Sequence, residues 1–255
     1  MSGAANSDGG APSRRPRVLV CDDETQILRA LRVILRDAGF EALPASTGEE
    51  ALDVAAVSAP EAAIIDLVLP DMDGIELCRR LREWTTVPLL VLSAVDEEEA
   101  KVKALAVGAD DYVTKPFGPR ELIARLQANM RRVEPDRETP VITTGALSID
   151  LASRIVTIAG EEVRLTPTEF SLLALLARNR GRLMTHRDLL VSVWGAGYGE
   201  DTQVLRAHIA NLRRKLDRAG AERTGHAGLD GSPAGGSVPR SYIRTDAGVG
   251  YRFAA

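Results

Sequence analysis

Cysteine, histidine and long apolar runs are all scarce in this sequence, and each scarcity removes a class of function. Only Cys21 and Cys78 occur among 255 residues. Two thiols cannot build a disulfide framework, and both lie in apolar surroundings, which points to buried thiols in a reducing cytoplasm. The three histidines are scattered and make no metal site. No apolar run reaches the length of a membrane-spanning helix. The opening stretch MSGAANSDGGAPSRRP lacks the apolar core of a signal peptide and reads as a disordered tail over residues 1–16.

What is present suits two globular domains: 255 residues, 45 % hydrophobic and 27 % charged. The charge is uneven. Residues 1–138 hold 25 Asp/Glu against 17 Lys/Arg, and residues 139–255 hold 15 Lys/Arg against 11 Asp/Glu. A basic second half fits an anionic partner such as nucleic acid, although plain solvated surface also produces such asymmetry.

Residues 17–132 alternate short apolar strands (17–21, 40–45, 62–66, 87–93, 110–114) with amphipathic helices. The alternation predicts an α/β domain, a doubly wound five-stranded parallel sheet of order 2-1-3-4-5. Residues 133–140 are charged, contain proline and read as a linker. Residues 141–255 run strands, three helices and a terminal hairpin, the outline of a winged helix-turn-helix. Thr166, Pro167 and Glu169 mark a capped helix start. The Gly/Pro/Ser-rich segment 221–240 is expected to be a mobile loop.

A sheet of that order binds ligands outside the carboxyl ends of its strands. Asp22 and Asp23 end the first strand and Asp66 the third, so their carboxylates converge. Their repulsion calls for a hard divalent cation, Mg²⁺ being the natural one. Ser93 ends the fourth strand and Lys115 the fifth. Carboxylates, a hydroxyl and an ammonium in one crevice suit phosphoryl transfer. Asp71 and Asp73 lie in the turn PDMDG, and Asp73 is placed to cap the following helix. A DxDG pair also occurs in Mg²⁺-dependent phosphohydrolases, which keeps that alternative open, but there an apolar strand leads into the first aspartate and here Pro70 interrupts it.

On the third helix of the second half, Leu205, Ile209, Leu212 and Leu216 are expected to pack inward. Gln203, Arg206, Ala207, Ala210, Asn211, Arg213 and Arg214 are left on a polar, basic surface suited to a major groove. Arg213, Arg214 and Lys215 are expected to grip phosphates. An ordinary amphipathic helix is the bland alternative. Trp194 is expected in the core, and His208 as a packing or phosphate-contacting residue.

The motifs DDE at 22–24, IIDLVLPDMDG around Asp66, VLSA at 91–94 and GADDYVTKPF at 108–117 resemble the receiver domain of two-component response regulators. LTPTEFSLLALLARNRG, DLLVSVWG, LRRKL and GVGYRF resemble the OmpR/PhoB-type effector domain. Within that group QILRALR, LREWTTVPLLVLSA, TKPFG and VLRAHIANLRRKL are similar to regulators of Kdp potassium-transport genes. The resemblance implies that Asp66 is the phosphoacceptor, that Asp22, Asp23, Asp66 and the Val68 carbonyl serve Mg²⁺, and that Ser93 and Lys115 contact the phosphoryl group. It makes Tyr112 an aromatic switch. It assigns Lys101, Asp110, Asp111, Glu121, Arg125 and Arg132 to a two-fold dimer interface, paired as 101–121, 111–125 and 110–132. Arg244 and Thr245 fall in the DNA-binding wing, where Ala247 stands in place of an arginine found in several relatives. The implied partners are a sensor histidine kinase, promoter DNA, a second copy on activation and RNA polymerase, with no membrane. Such a protein catalyses only its own phosphorylation and dephosphorylation. A constitutive DNA-binding protein with a passive receiver is the remaining alternative.

Overall fold

A computed structural model describes residues 14–93, 98–130, 141–195, 198, 201–224 and 241–254. The first unit places β1 (Arg17–Cys21), β2 (Glu41–Ala45), β3 (Ala62–Asp66), β4 (Leu89–Ser93) and β5 (Asp111–Thr114) in one parallel sheet of order β2-β1-β3-β4-β5. The helices are α1 (Thr25–Asp37), α2 (Gly48–Ser58), α3 (Gly74–Arg82), α4 (Glu98–Val107) and α5 (Pro119–Met130). The strands alternate their side chains between two cores. Val18, Val20, Ile64, Leu90, Leu92 and Val113 meet α1 and α5 through Leu31, Leu35, Leu122 and Leu126. Leu19, Cys21, Ala63, Ile65 and Val91 meet the other helices through Ala51, Leu77, Leu81 and Leu105. Burial pushes the Cys21 and Cys78 thiols up to about 12, so both are inert apolar packing at neutral pH.

The second unit opens with an antiparallel sheet of β6 (Val141–Thr144), β7 (Leu147–Asp150), β8 (Ile155–Ile158) and β9 (Glu161–Glu162). Then come α6 (Pro167–Arg178), β10 (Leu183–Thr185), α7 (His186–Trp194), α8 (Thr202–Thr224) and the hairpin β11 (Ile243–Asp246) and β12 (Gly250–Phe253). The capping box at Thr166 and Glu169 forms as the sequence predicts, and Thr185 with Asp188 forms a second one on α7. β10 is the strand that sequence reading overlooks. It pairs with β12 and completes a three-stranded sheet of order β10-β12-β11. Three residues of LMT carry too little periodicity to show. α8 also continues through Thr224, four residues into the segment expected to be a mobile loop. Ala221, Glu222 and Arg223 are strong helix formers, and Gly220 alone does not end the run. Residues 1–13 of the expected tail, residues 131–140 with Arg132 and the expected linker 133–140, and residues 225–240 of the expected loop lie outside the described residues.

One close approach fixes where the third strand ends. A Cβ built on Gly74 would fall deep inside the contact distance of the Asp66 carbonyl oxygen and of Leu67 Cα. The glycine therefore lets the start of α3 rest against the end of β3, and its own N–H donates to Leu67 O at 2.9 Å. In an ordinary helix Gly→Ala stabilises. Here Gly74→Ala is expected to cost about 1–3 kcal/mol by overpacking, read from urea unfolding. Stability equal to the parent would mean that the α3 start has room to shift.

Candidate functional site

The crevice at the carboxyl ends of β1, β3 and β5 is built by strand length. Cys21 pairs with Ile65 across β1 and β3, so the next residue of each strand, Asp22 and Asp66, emerges at the same edge. Lys115 Nζ reaches both, at 2.8 Å from Asp22 Oδ2 and 3.0 Å from Asp66 Oδ2. The Leu67 N–H donates to Asp66 Oδ1 at 2.9 Å. Asp22 and Asp66 are buried, whereas Asp23 is exposed. One carboxylate oxygen from each of the three lies within 4.8 Å of the others. Oxygen donors alone, with one face open at Asp23, fit a hard divalent cation such as Mg²⁺.

Burial raises the Asp66 pKa above the usual carboxylate value and Asp22 adds to the rise, while Lys115 opposes both. Burial disfavours the Lys115 charge too, but its bonds to Asp22 and Asp66 prevail and its pKa is raised. Ser93 is buried at the end of β4, and the Lys115 N–H donates to its carbonyl at 2.7 Å. Val68 stands exposed just past β3.

Asp71 and Asp73 are structural. Asp71 accepts from the Gly48 and Glu49 N–H groups at 2.8 and 2.9 Å, so it caps α2 from a distant loop. Those bonds hold its pKa below the ordinary value. Asp73 caps α3 by accepting from Ile75 N at 2.8 Å. Neither is left to act as the first aspartate of a phosphohydrolase pair. A lone caps-or-chemistry aspartate gives no sequence signal for a cap twenty-three residues away.

The second half of the candidate site lies on α8. Leu205, Ile209, Leu212 and Leu216 pack inward as expected, and Trp194 is core. Arg206, Ala210 and Arg214 are exposed, and Gln203, Ala207, Arg213 and Lys215 are half-buried. Arg213 is tied to the wing, donating to Ile243 O at 2.8 Å and Thr245 Oγ1 at 2.8 Å. Arg244, Thr245 and Ala247 are exposed on the hairpin.

The two units are packed together, and the contact was not visible from sequence. α8 lies along α4, and a single buried cluster runs from Ala104 and Leu105 into Leu205 and Leu212. Asn211 is buried and donates to Leu105 O at 2.8 Å. His208, also buried, places Nε2 2.8 Å from Asp110 O. Tyr112 donates from its hydroxyl to Asp201 at 3.1 Å, with Lys101 Nζ 4.7 Å from its ring centroid. Asp111 is fully buried. It accepts from the Tyr198 hydroxyl and from Arg125 at 3.3 Å, and the Arg125 guanidinium lies 4.2 Å from the Tyr198 ring centre. Burial raises the Asp111 pKa despite Arg125, and burial raises Tyr198. Asp110 is fully buried as well, holding Arg82 and the Leu89 N–H. Glu121 pairs with Arg125 within α5. Of the charges expected to face a second copy, Lys101, Asp110, Asp111, Glu121 and Arg125 thus meet partners inside this chain.

Residues 18–127 match the response regulator receiver domain, and residues 160–225 match the C-terminal domain of transcriptional regulatory proteins. The chain is 48 % identical to the transcriptional regulatory protein KdpE of Mycobacterium tuberculosis, over 93 % of this chain and 99 % of that protein. It is 42 % identical to the KDP operon regulator KdpE of Escherichia coli, over 92 % and 98 %. A solved structure of a RitR variant aligns with a TM-score of 0.67 at 25 % identity, covering 93 % of this chain and 98 % of that one. No helix among the described residues is long and apolar enough to cross a membrane. The chain therefore belongs to the OmpR/PhoB-type two-component response regulators, and within them it is similar to KdpE.

Proposed function

We propose that Asp66 accepts a phosphoryl group from a sensor histidine kinase and that this switches a closed chain into a DNA-binding dimer. The observation that carries the reading is the Asp66 carboxylate, seated 3.0 Å from Lys115 Nζ beside Asp22 and Asp23. An Asp66 oxygen attacks phosphorus, the P–N bond of the kinase phosphohistidine breaks, and the imidazole leaves with that electron pair. Lys115 and Ser93 hold phosphoryl oxygens. Mg²⁺ on Asp22, Asp23, Asp66 and the Val68 carbonyl would offset the gathered negative charge. Water later cleaves the acyl phosphate, so no external substrate is turned over.

The closed packing supplies a route for the signal. Drawing Ser93 and Tyr112 toward the phosphoryl group takes the Tyr112 hydroxyl away from Asp201. The face that the second unit covers, with α8 on α4 and with α6, α7 and Tyr198 on α5, carries Lys101, Asp110, Asp111 and Arg125, which with Glu121 and Arg132 form the dimer surface in this reading. Closed chain and dimer therefore exclude one another. Once open, Gln203, Arg206, Ala207, Ala210 and Asn211 read bases, while Arg213, Arg214, Lys215, Arg244 and Thr245 hold backbone phosphates. The likeness to KdpE supports promoters of potassium-transport genes as targets, with RNA polymerase as the downstream partner and the cytoplasm as the compartment.

Incubation with acetyl phosphate and Mg²⁺ should place an acyl phosphate on Asp66, found by mass spectrometry. A label on any other aspartate sinks the assignment. Without phosphodonor, Mg²⁺ at ten times its Kd should stabilise the chain by about 1.4 kcal/mol. Asp66→Asn should be more stable than the parent in metal-free buffer, since a carboxylate is lost from a crowded crevice, and should respond to Mg²⁺ far less. Differential scanning fluorimetry reads both.

Tyr198→Phe removes a donor from buried Asp111 and should weaken closure by about 1–3 kcal/mol. The unphosphorylated variant should then bind duplex DNA, recovered by selection from a random pool, roughly tenfold or more tighter than the parent at fixed salt. Equal anisotropy titrations for the two would mean that closure does not limit DNA binding.

A further inference from the structure

The seam between the two units holds a cleft of about 370 Å³ with walls from both. Arg82, Arg164, Arg214, Lys215 and Arg218 line it against the one carboxylate of Glu169, among the described residues. Glu169 is buried and already engaged, by Lys215 at 2.6 Å and by the Thr166 N–H at 2.8 Å. Arg82 is engaged by Asp110 and Lys215 by Glu169, and the charges of Arg164 and Arg214 on the same walls favour an anion in the cleft. Both are arginines, whose planar forks match phosphate oxygens.

Trp84 stands at the rim, 48 % exposed, in a chain with only two tryptophans. It borders this cleft, a second polar one of about 370 Å³ that reaches Arg154, and an apolar one of about 230 Å³ ending on Ala59 and Pro60. A large flat side chain left half-exposed among cavities, next to clustered arginines, is the pairing that receives a planar ring joined to a phosphate. The cleft volume lies within the range of small-ligand sites.

We propose that this interdomain cleft binds a nucleotide, with the base against Trp84 and the phosphate against Arg164, Arg214 and Arg218, and that the bound nucleotide holds the chain closed. Its walls come from both units: Arg82, Trp84 and the end of α4 from the first, Arg164 and α8 from the second. A ligand that needs both walls favours closure by the factor 1 + [L]/Kd. Arg214 and Lys215 are also among the side chains that grip DNA phosphates in the reading above. The nucleotide and DNA then compete for the same cations, and nucleotide supply sets how much phosphorylation is needed to open the chain.

The test uses the full chain in metal-free buffer, titrated separately with AMP, ATP, adenosine and inorganic pyrophosphate. Trp194 packs 5.4 Å from His208 on the closing face, so the fluorescence change is assigned to Trp84 by repeating the titration with Trp84→Phe. AMP and ATP should quench saturably, and calorimetry should give the same Kd. Adenosine should bind at least roughly tenfold more weakly. Arg164→Glu and Arg218→Glu, both at exposed positions and checked for fold by circular dichroism, should each weaken ATP by roughly tenfold or more. Asp66→Ala should bind ATP like the parent, which separates this site from the phosphoacceptor. ATP should also lower the affinity for duplex DNA. The proposal is overturned by no saturation at millimolar nucleotide, by unchanged binding in both charge-reversal variants, by adenosine equal to AMP, or by pyrophosphate equal to ATP.

Discussion

Two adjacent buried carboxylates at the start of β5 hold this arrangement together. Asp110 and Asp111 are both fully buried, and a strand sends neighbouring side chains to opposite faces. An isolated buried charge is too costly to persist, so each must find donors. Asp110 turns toward α3 and takes Arg82, whose other nitrogens donate to Gly108 O at 2.8 Å and Val87 O at 2.6 Å. One guanidinium thereby ties the end of α3 to the loops on either side of β4 and α4. Asp111 turns the other way and takes Arg125 and Asn129 from α5. That supply is incomplete without Tyr198, which belongs to the second unit. The desolvation of one strand residue is thus a force for domain closure.

The scale of that force matters for a switch. Moving a population from 1:99 to 99:1 requires about 5.5 kcal/mol of differential free energy. Hydrogen bonds such as Tyr112 to Asp201, Asn211 to Leu105 and Thr168 to Asn129 contribute about 0.5–1.5 kcal/mol each. A handful of them, with the Asp111 group, matches the size of a reversible closure. Placement adds to magnitude. Tyr112 lies on β5 with its N–H on Asp111 Oδ1 at 2.8 Å, and its ring reaches out to Asp201 at the entrance to α8. Any rotation of that ring disturbs a contact at the entrance to α8.

The receiver was legible from sequence because its signals are local and repeated. β1, β3, β4 and β5 each end at or just before a polar residue that the parallel register carries to the same edge, so Asp22, Asp66, Ser93 and Lys115 gather there from strand order alone. The winged-helix unit was legible through its capping box and the spacing of Leu205, Ile209, Leu212 and Leu216. The packing between units was not, because its determinants look ordinary in one dimension. Asn211 and His208 sit on a polar helix face that reads equally well as a DNA surface. Tyr198 lies between glycines with no periodicity to place it. Asp110 and Asp111 read as an exposed acidic pair until the structure puts arginine, tyrosine and an N–H on them. Pairing at long sequence separation leaves no pattern in a single chain.

The opposite charges of the two halves gain a second meaning from this packing. A second half with more Lys/Arg than Asp/Glu meets a first half with the opposite excess, and the two attract through their summed fields. Yet the close contacts are made by few full ion pairs. They are hydroxyl to carboxylate, imidazole and amide to backbone carbonyl, and an arginine across a tyrosine ring. Ion pairs here would resist the like-charge changes of phosphorylation poorly and would weaken with salt. Short-range polar contacts keep closure dependent on geometry. The long-range field brings the halves together, and the local fit of α8 on α4 and β5 decides whether they stay.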